Sequence, residues 1–281
     1  MIFVYFVSFL AGILWGTTES INKNITEKQY SSFSYFLIQM SLNLLLYAIP
    51  FIMFGTIPRQ PIVYFYLIVP VIFILLGNLF LIKAYKTEDI SNINILSRSS
   101  LIITFLTGVF LLHEKVSVWN IAGIVIIVLG MLTISYEGKR IKPSIGFLLA
   151  LASGVLMGAL AYFRKLALYY INPISVVFSG QLFMTIILLL IPKSYQDVKP
   201  IWTKYKKRII LSRFTAVSGF YLINWSFSQG NISIANTNYE TAFLLSTLLI
   251  GIWILHEKKN TRKKLIGSFL CILGIILLNF F

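Results

Sequence analysis

Two charged residues stand where charge is costly. Arg98 lies in "ILSRSSLIITFLTGVFLLHEK" (95–115), where fourteen uncharged residues follow it, and Glu240 lies in "NTNYETAFLLS" (236–246). Both runs read as membrane helices, and an arginine near a bilayer centre costs from roughly 3 to more than 10 kcal/mol. Each charge therefore needs a partner or a task. Ion pairing, recognition of a charged solute, and carriage of a proton by the carboxylate are the chemistries open to them. Other chemistry has little to work with. The two histidines, His113 and His256, both fall in the tetrapeptide "LHEK" (112–115 and 255–258). Neither has the second nearby ligand that H-E-x-x-H would supply, so no metal site is expected. Cys271 is the single cysteine and can form no disulfide within the chain. No catalytic triad, phosphate loop or haem site is recognisable, so the chain is not expected to be an enzyme and no cofactor is implied.

Composition names the solvent. Of 281 residues, 58% are hydrophobic and 12% charged, against about 25% charged in soluble domains. A water-soluble fold of this size leaves too much surface exposed to hide that apolar content, so the bilayer is a partner by necessity. The net charge of +15 does not point to nucleic acid. The basic residues sit in short loops between apolar runs, where they set topology. The N-terminal "MIFVYFVSFLAGILWG" lacks a basic n-region and a small-residue cleavage site, and reads as a first helix.

Apolar runs long enough to span (about 20 residues) fall near 2–21, 31–54, 61–82, 91–112, 117–136, 143–163, 171–192, 208–228, 232–255 and 264–281. The fold class is therefore an all-α polytopic membrane protein of ten transmembrane helices. The ten come in two copies. "LHEK" occurs twice, Gly123 and Gly130 match Gly267 and Gly274, and "LAGILWG" (10–16) resembles "ASGVLMG" (152–158). "AYKTEDISNINILSRSS" (84–100) aligns with "SFSQGNISIANTNYETA" (226–242), pairing Ile90 with Ile232, Ser91 with Ser233 and Asn94 with Asn236. The first five-helix repeat takes 1–136, a linker 137–143, and the second repeat 144–281. An odd number of spans per copy inverts the second copy, as in transporters whose substrate site lies near the midplane between halves.

On "LWG" (14–16), "GVFLLHEK" (108–115), "GIWILHEK" (251–258) and the glycine-bearing helices that follow, the chain resembles the drug/metabolite transporter superfamily, specifically its EamA-type ten-helix members. The resemblance covers essentially the whole chain. It implies a cavity lined by helices one, three, four, six, eight and nine, with helices four and nine meeting at the pseudo-two-fold axis. Relatives carry a proline about thirteen residues before each motif glutamate, where this chain has positions near Leu101 and Leu244. The related small multidrug resistance proteins carry a membrane glutamate in helix one. At about that place this chain has Gly16, with Glu19 a turn later.

The repeat alignment puts Arg98 opposite Glu240, each roughly 11–12 Å into its helix by helical rise. Counted from opposite faces of a core about 30 Å thick, their axial separation is at most roughly 7 Å. Glu240 is thus the expected partner of Arg98, as structural glue or as part of a substrate cavity. The helices implied to line that cavity bring Trp15, Glu19, Asn78, Asn94, Asn224, Trp225 and Tyr239. Aromatics beside carboxylates suit an organic cation, although Trp and Tyr are also common at membrane interfaces. Glu19 falls near a mouth. Gln39, Asn43 and Gln181 are read as inter-helix packing groups, and the glycines of helices five and ten as scaffold or dimer contacts.

The resulting expectation is a secondary transporter in the cell membrane. It would export small polar or amphipathic metabolites, such as amines or amino-acid-like compounds, by rocking helices one to four against six to nine. A carboxylate or nucleobase uniporter or exchanger, and a non-transporting partner protein, stay open. The expected partners are a small-molecule substrate and the lipid bilayer, with a proton as a candidate coupling ion and a monomer or weak homodimer as the assembly. Loops after the odd-numbered helices hold nineteen Lys and Arg and the opposite side four. That bias places both termini outside, whereas EamA-type relatives are usually drawn with both inside.

Overall fold

In the computed structural model the described residues are 2–22, 30–84, 96, 99–135, 144–253 and 261–280. They form ten α-helices: α1 (Ile2–Asn22), α2 (Ser32–Phe54), α3 (Pro61–Ala84), α4 (Ser99–Leu111), α5 (Val118–Ser135), α6 (Ile145–Leu168), α7 (Pro173–Leu189), α8 (Val198–Gln229), α9 (Ile232–Trp253) and α10 (Thr261–Phe280). One turn of 3-10 helix, Pro192–Ser194, precedes α8. Four helices, α1, α2, α3 and α6, are long and apolar enough to cross a membrane by themselves. Phe3, Phe6, Ile52, Phe110, Leu129 and Phe269 stand exposed on the outside, a surface that lipid tolerates and water does not.

The number and order of the helices follow the sequence reading, but two boundaries differ. The α6 helix continues through Arg164 to Leu168, and α8 starts at Val198 and runs for 32 residues. Ile201, Tyr205 and Ile209 recur every four residues and are buried against Tyr35 and Ile38 of α2. That stripe sustains the helix through a segment whose charge reads as a loop. Past Lys206, Lys207 and Arg208, the outward face changes to Ile210, Leu211 and Phe214, which marks the membrane surface within one turn.

The two repeats are interleaved rather than side by side. The α1 helix packs on α8 and α9, and its counterpart α6 packs on α3 and α4; α2 meets α7, and α5 meets α10. Exchanging the repeats leaves this pattern unchanged, as a pseudo-two-fold axis requires. Two bodies result, α1–α8–α9 and α3–α4–α6. The expected division into helices one to four and helices six to nine cuts across both of these packed groups.

Glycines explain the close crossings. Gly12 and Gly16 lie one turn apart on α1 against α9, where a Cβ on Gly12 would come 2.8 Å from Ala242 Cβ and 2.9 Å from the Phe243 nitrogen. On α6, a Cβ at Gly158 would come 2.6 Å from the Ser100 carbonyl of α4. Gly123 faces Gly274 and Gly130 faces Gly267, with carbonyls 2.8 and 2.7 Å from the positions a Cβ would take. The α5 and α10 glycines are thus taken up in a contact inside the chain, which is how small residues let membrane helices approach.

Helix ends are capped from the other repeat. The Glu114 carboxylate accepts from the backbone N–H groups of Ile232 (2.5 Å) and Ser233 (3.1 Å) and from the Ser233 hydroxyl (2.5 Å), closing the start of α9. Asp197 accepts from the Ser31 N–H at 2.6 Å at the start of α2. Asn172, at the start of α7, donates to the Phe54 carbonyl at 2.5 Å. The "LHEK" at 112–115 is therefore a joint. Leu112 enters the core, and His113 turns the chain with φ 53°. Glu114 holds α9, and the Lys115 carbonyl accepts from Asn231 at 3.2 Å. The second "LHEK" lies outside the described residues.

Candidate functional site

A cavity of about 360 Å³ lies between the two bodies, walled by α1, α2, α3, α4, α6, α7, α8 and α9. The α2 and α7 helices join the six expected ones. Gln39, Asn43 and Gln181 are on the wall as well as in the packing, with the Asn43 amide donating to Gln181 Oε1 at 3.3 Å. Among the expected site residues, Trp15, Glu19, Asn78, Tyr239 and Glu240 line the cavity. Asn224 and Trp225 do not. Asn224 is fully buried and donates to the Phe220 carbonyl at 2.8 Å, while Trp225 meets Phe3 edge-on at 6.2 Å. Arg98 and Asn94 lie outside the described residues, so the Arg98–Glu240 pairing remains an expectation.

Contacts along α1 set the heights. Thr18 Oγ1 is 2.8 Å from Thr215 Oγ1, Gly219 packs on Ala11 and Leu14, and Ser226 donates to the Val4 carbonyl at 3.2 Å. The α1 and α8 helices are thus antiparallel, with Glu19 at the level of Arg213. Gly12, halfway along the 21-residue α1, packs on Tyr239 and Ala242 of α9. Tyr239, Glu240 and Phe220 therefore share a middle layer, and Glu19 with Arg213 forms a second layer roughly 10 Å nearer the basic face.

Two arginines that sequence reasoning assigned to loops face this cavity. Arg213 of α8 is 2% exposed, donates from Nε and Nη2 to Ser212 Oγ at 3.3 Å, and lies in the field of Tyr35 and Glu19. Arg164 of α6 crosses between the bodies. Its Cζ sits 4.6 Å from the centroid of the Phe220 ring, whose centroid is 6.3 Å from that of Trp15. Tyr239 shares the cavity wall with Arg164. Among the described residues no carboxylate pairs with Arg164 and no hydrogen bond leaves its guanidinium. A signal for Arg164 was present in the sequence: Met157, Leu160, Ala161 and Arg164 fall on one helical stripe, and all four line the wall. Taking Arg164 and Arg213 out of the loops leaves three basic residues on one face and eighteen on the other.

The middle layer can hold a solute between an arginine fork and a carboxylate, with aromatic rings beside both. Glu114, Lys165 and the two caps near Ser31 and Asn172 lie outside this wall and hold helix ends. Lys165 donates to the carbonyls of Phe227 and, at 2.9 Å, Gly230 at the end of α8, where a cation suits the helix dipole.

Comparisons with known proteins agree with this architecture. A solved crystal structure matches with a TM-score of 0.77 at 16% identity, over 98% of this chain and 97% of the other. At that identity the likeness is one of fold. Among curated proteins none matches this sequence significantly. The EamA-like transporter family matches residues 2–136 and again residues 144–280, nearly the whole chain. This chain, an integral membrane protein of ten helices in two inverted repeats, belongs to the EamA-like transporter family and is not an enzyme.

Proposed function

We propose that the chain is a secondary transporter of small amphipathic metabolites, with amino-acid-like compounds ahead of simple amines, working by alternating access in the cell membrane. One observation carries the reading. Charges of both signs, Arg164 and Arg213 with Glu19 and Glu240, line one largely apolar cavity between two interleaved bodies. An amine needs only the carboxylates; a zwitterion uses both signs. At about 360 Å³ the cavity is at the small end of ligand pockets, which suits a metabolite rather than a peptide. The basic face marks the cytoplasm. The second layer, Glu19 and Arg213, lies toward that face, so a solute leaving the cytoplasm meets it first, in keeping with export. Glu240 is the carboxylate proposed to carry a coupling proton.

The test is counterflow in proteoliposomes. Labelled amino acids and their decarboxylated amines are offered to vesicles loaded with the unlabelled compound. Accumulation above protein-free vesicles is expected, with a loss in Glu240→Gln. If no compound in either set moves faster than through empty vesicles, the proposal fails.

A further inference from the structure

We infer that Arg164 is a carboxylate-binding residue, and that the solute docks its carboxylate on this guanidinium in the middle layer. The inference rests on the transport reading above and narrows it to solutes that carry a carboxylate. Arg164 reaches into the cavity from α6 and lies 4.6 Å over the Phe220 ring. Its guanidinium shares the wall with Tyr239 and, among the described residues, makes no ion pair. The ring attracts the cation but occupies none of its N–H donors. A guanidinium fork at the wall of a largely apolar cavity fits one ligand chemistry well, the bidentate acceptance of two parallel N–H···O bonds by a planar carboxylate.

The rest of the layer limits what else the ligand can be. Glu240 and Glu19 share the wall with Arg164 and Arg213, so a ligand that carries both signs of charge meets a complement to each. A carboxylate on Arg164 joined to an ammonium group fits a wall of both signs. The apolar remainder of the wall, including Phe36, Met40, Ile74, Met157 and Met184, fits a hydrophobic side chain.

A functional arginine also differs from a structural one in what its removal does to the empty protein. A charge held away from water without a counter-ion costs stability. A neutral residue at position 164 should therefore leave the unliganded protein as stable as before, or more so.

The test uses the purified full chain and two matched sets of probes. One is phenylalanine, 3-phenylpropionate and phenethylamine; the other is leucine, 4-methylpentanoate and isoamylamine. Both amino acids should raise the melting temperature, the acids to a lesser degree, and the amines should not. Arg164→Gln should lose the ligand-induced shift while melting, unliganded, at or above wild type. Arg164→Lys keeps the charge without the fork and should weaken binding about tenfold. The inference is overturned if amines stabilise as well as amino acids, or if no carboxylate probe binds wild type. It is also overturned if Arg164→Lys binds like wild type, or if Arg164→Gln melts lower yet keeps its ligand shift. Counterflow that proceeds unchanged in Arg164→Lys would remove this inference and leave the transport reading standing.

Discussion

Replacing Glu114 with alanine takes the acceptor away from three donors at once. The Ile232 and Ser233 N–H groups belong to the first turn of α9, where no helical carbonyl is available to them, and the Ser233 hydroxyl is the third. A hydrogen bond to a charged group contributes about 1.5–3 kcal/mol. An N-cap is worth about 1 kcal/mol and an acid at a helix N-terminus a further 0.3–1 kcal/mol or so. These estimates overlap, and Glu114 is only half-buried, so a net loss near 3 kcal/mol is the reasonable figure. For chains of roughly this size 1 kcal/mol moves a melting temperature by about 2–4 °C, so Glu114→Ala should melt of the order of 10 °C lower. Glu114→Gln retains an acceptor oxygen without the charge and should lose about half as much.

Thermal melting of the purified protein in detergent reads this directly, with exposed Lys115→Ala as the control expected to match wild type. Two results would refute the reasoning. One is Glu114→Ala melting within about 2 °C of wild type, below any cap loss. Alternatively, Glu114→Gln could abolish transport at an unchanged melting temperature, which would make the motif glutamate part of the transport chemistry instead of a joint.

Two further predictions concern the backbone. His113 holds φ 53°, a conformation that costs an L-residue roughly 1–2 kcal/mol, so His113→Gly should melt no lower than wild type and by up to a few degrees higher; a lower melt would mean that the imidazole makes a contact worth more than the strain. Gly12→Leu forces side-chain atoms into α9 and should cost at least the 1–3 kcal/mol or so of ordinary overpacking, whereas Gly180→Ala, with open space around it, should fold as wild type does. Equal melting of these two variants would show that α1 and α9 are not closely packed.

The parts of the molecule that repeat were the legible parts. Inverted topology, ten helices and the positions of Glu240, Tyr239, Trp15, Glu19 and Asn78 follow from hydropathy, duplicated motifs and a family resemblance. The interleaving was not legible, because a repeat in sequence says which elements are equivalent and not which ones touch. The misses on α8 have a definite cause. Counting Arg213 with the loop charges, although it lies inside the span read at 208–228, hid that Arg213, Phe220 and Phe227, seven residues apart, share the stripe that faces the cavity. Trp225 falls off that stripe, and Asn224 turns its amide to the helix's own backbone. Arg164 was lost because a charged pair near a helix end looks like a loop. Its neighbour Lys165 does sit at such an end, holding carbonyls of α8, while Arg164, one residue earlier, points 100° away into the cavity.

The distribution of side chains between the two bodies suggests how binding drives the cycle. Glu19, Arg213, Phe220, Tyr239 and Glu240 all belong to α1–α8–α9, and Arg164 belongs to α3–α4–α6. A zwitterion held by Arg164 at one end and by Glu240 at the other would be bonded to both bodies at once. Its binding energy would then favour the arrangement in which they close on it, the requirement for a ligand that shifts a conformational equilibrium. The corresponding prediction separates motion between bodies from motion within one. A Cβ on Gly108 of α4 would lie 2.5 Å from Glu114 Oε2 and 3.2 Å from Ser233 Cβ of α9, the latter just under disulfide spacing. Gly108→Cys/Ser233→Cys thus ties body to body while weakening the Glu114 cap, and its reduced form is the reference for that loss. Thr18 and Thr215, with hydroxyls 2.8 Å apart, belong to the same body, so Thr18→Cys/Thr215→Cys ties nothing that moves. In the Cys271→Ser background, oxidation should stop counterflow in the first pair and reduction should restore it, while the second pair transports in both states. Loss of transport in the second pair with the first unaffected would mean that α1 moves against α8, and the two bodies would have to be redrawn.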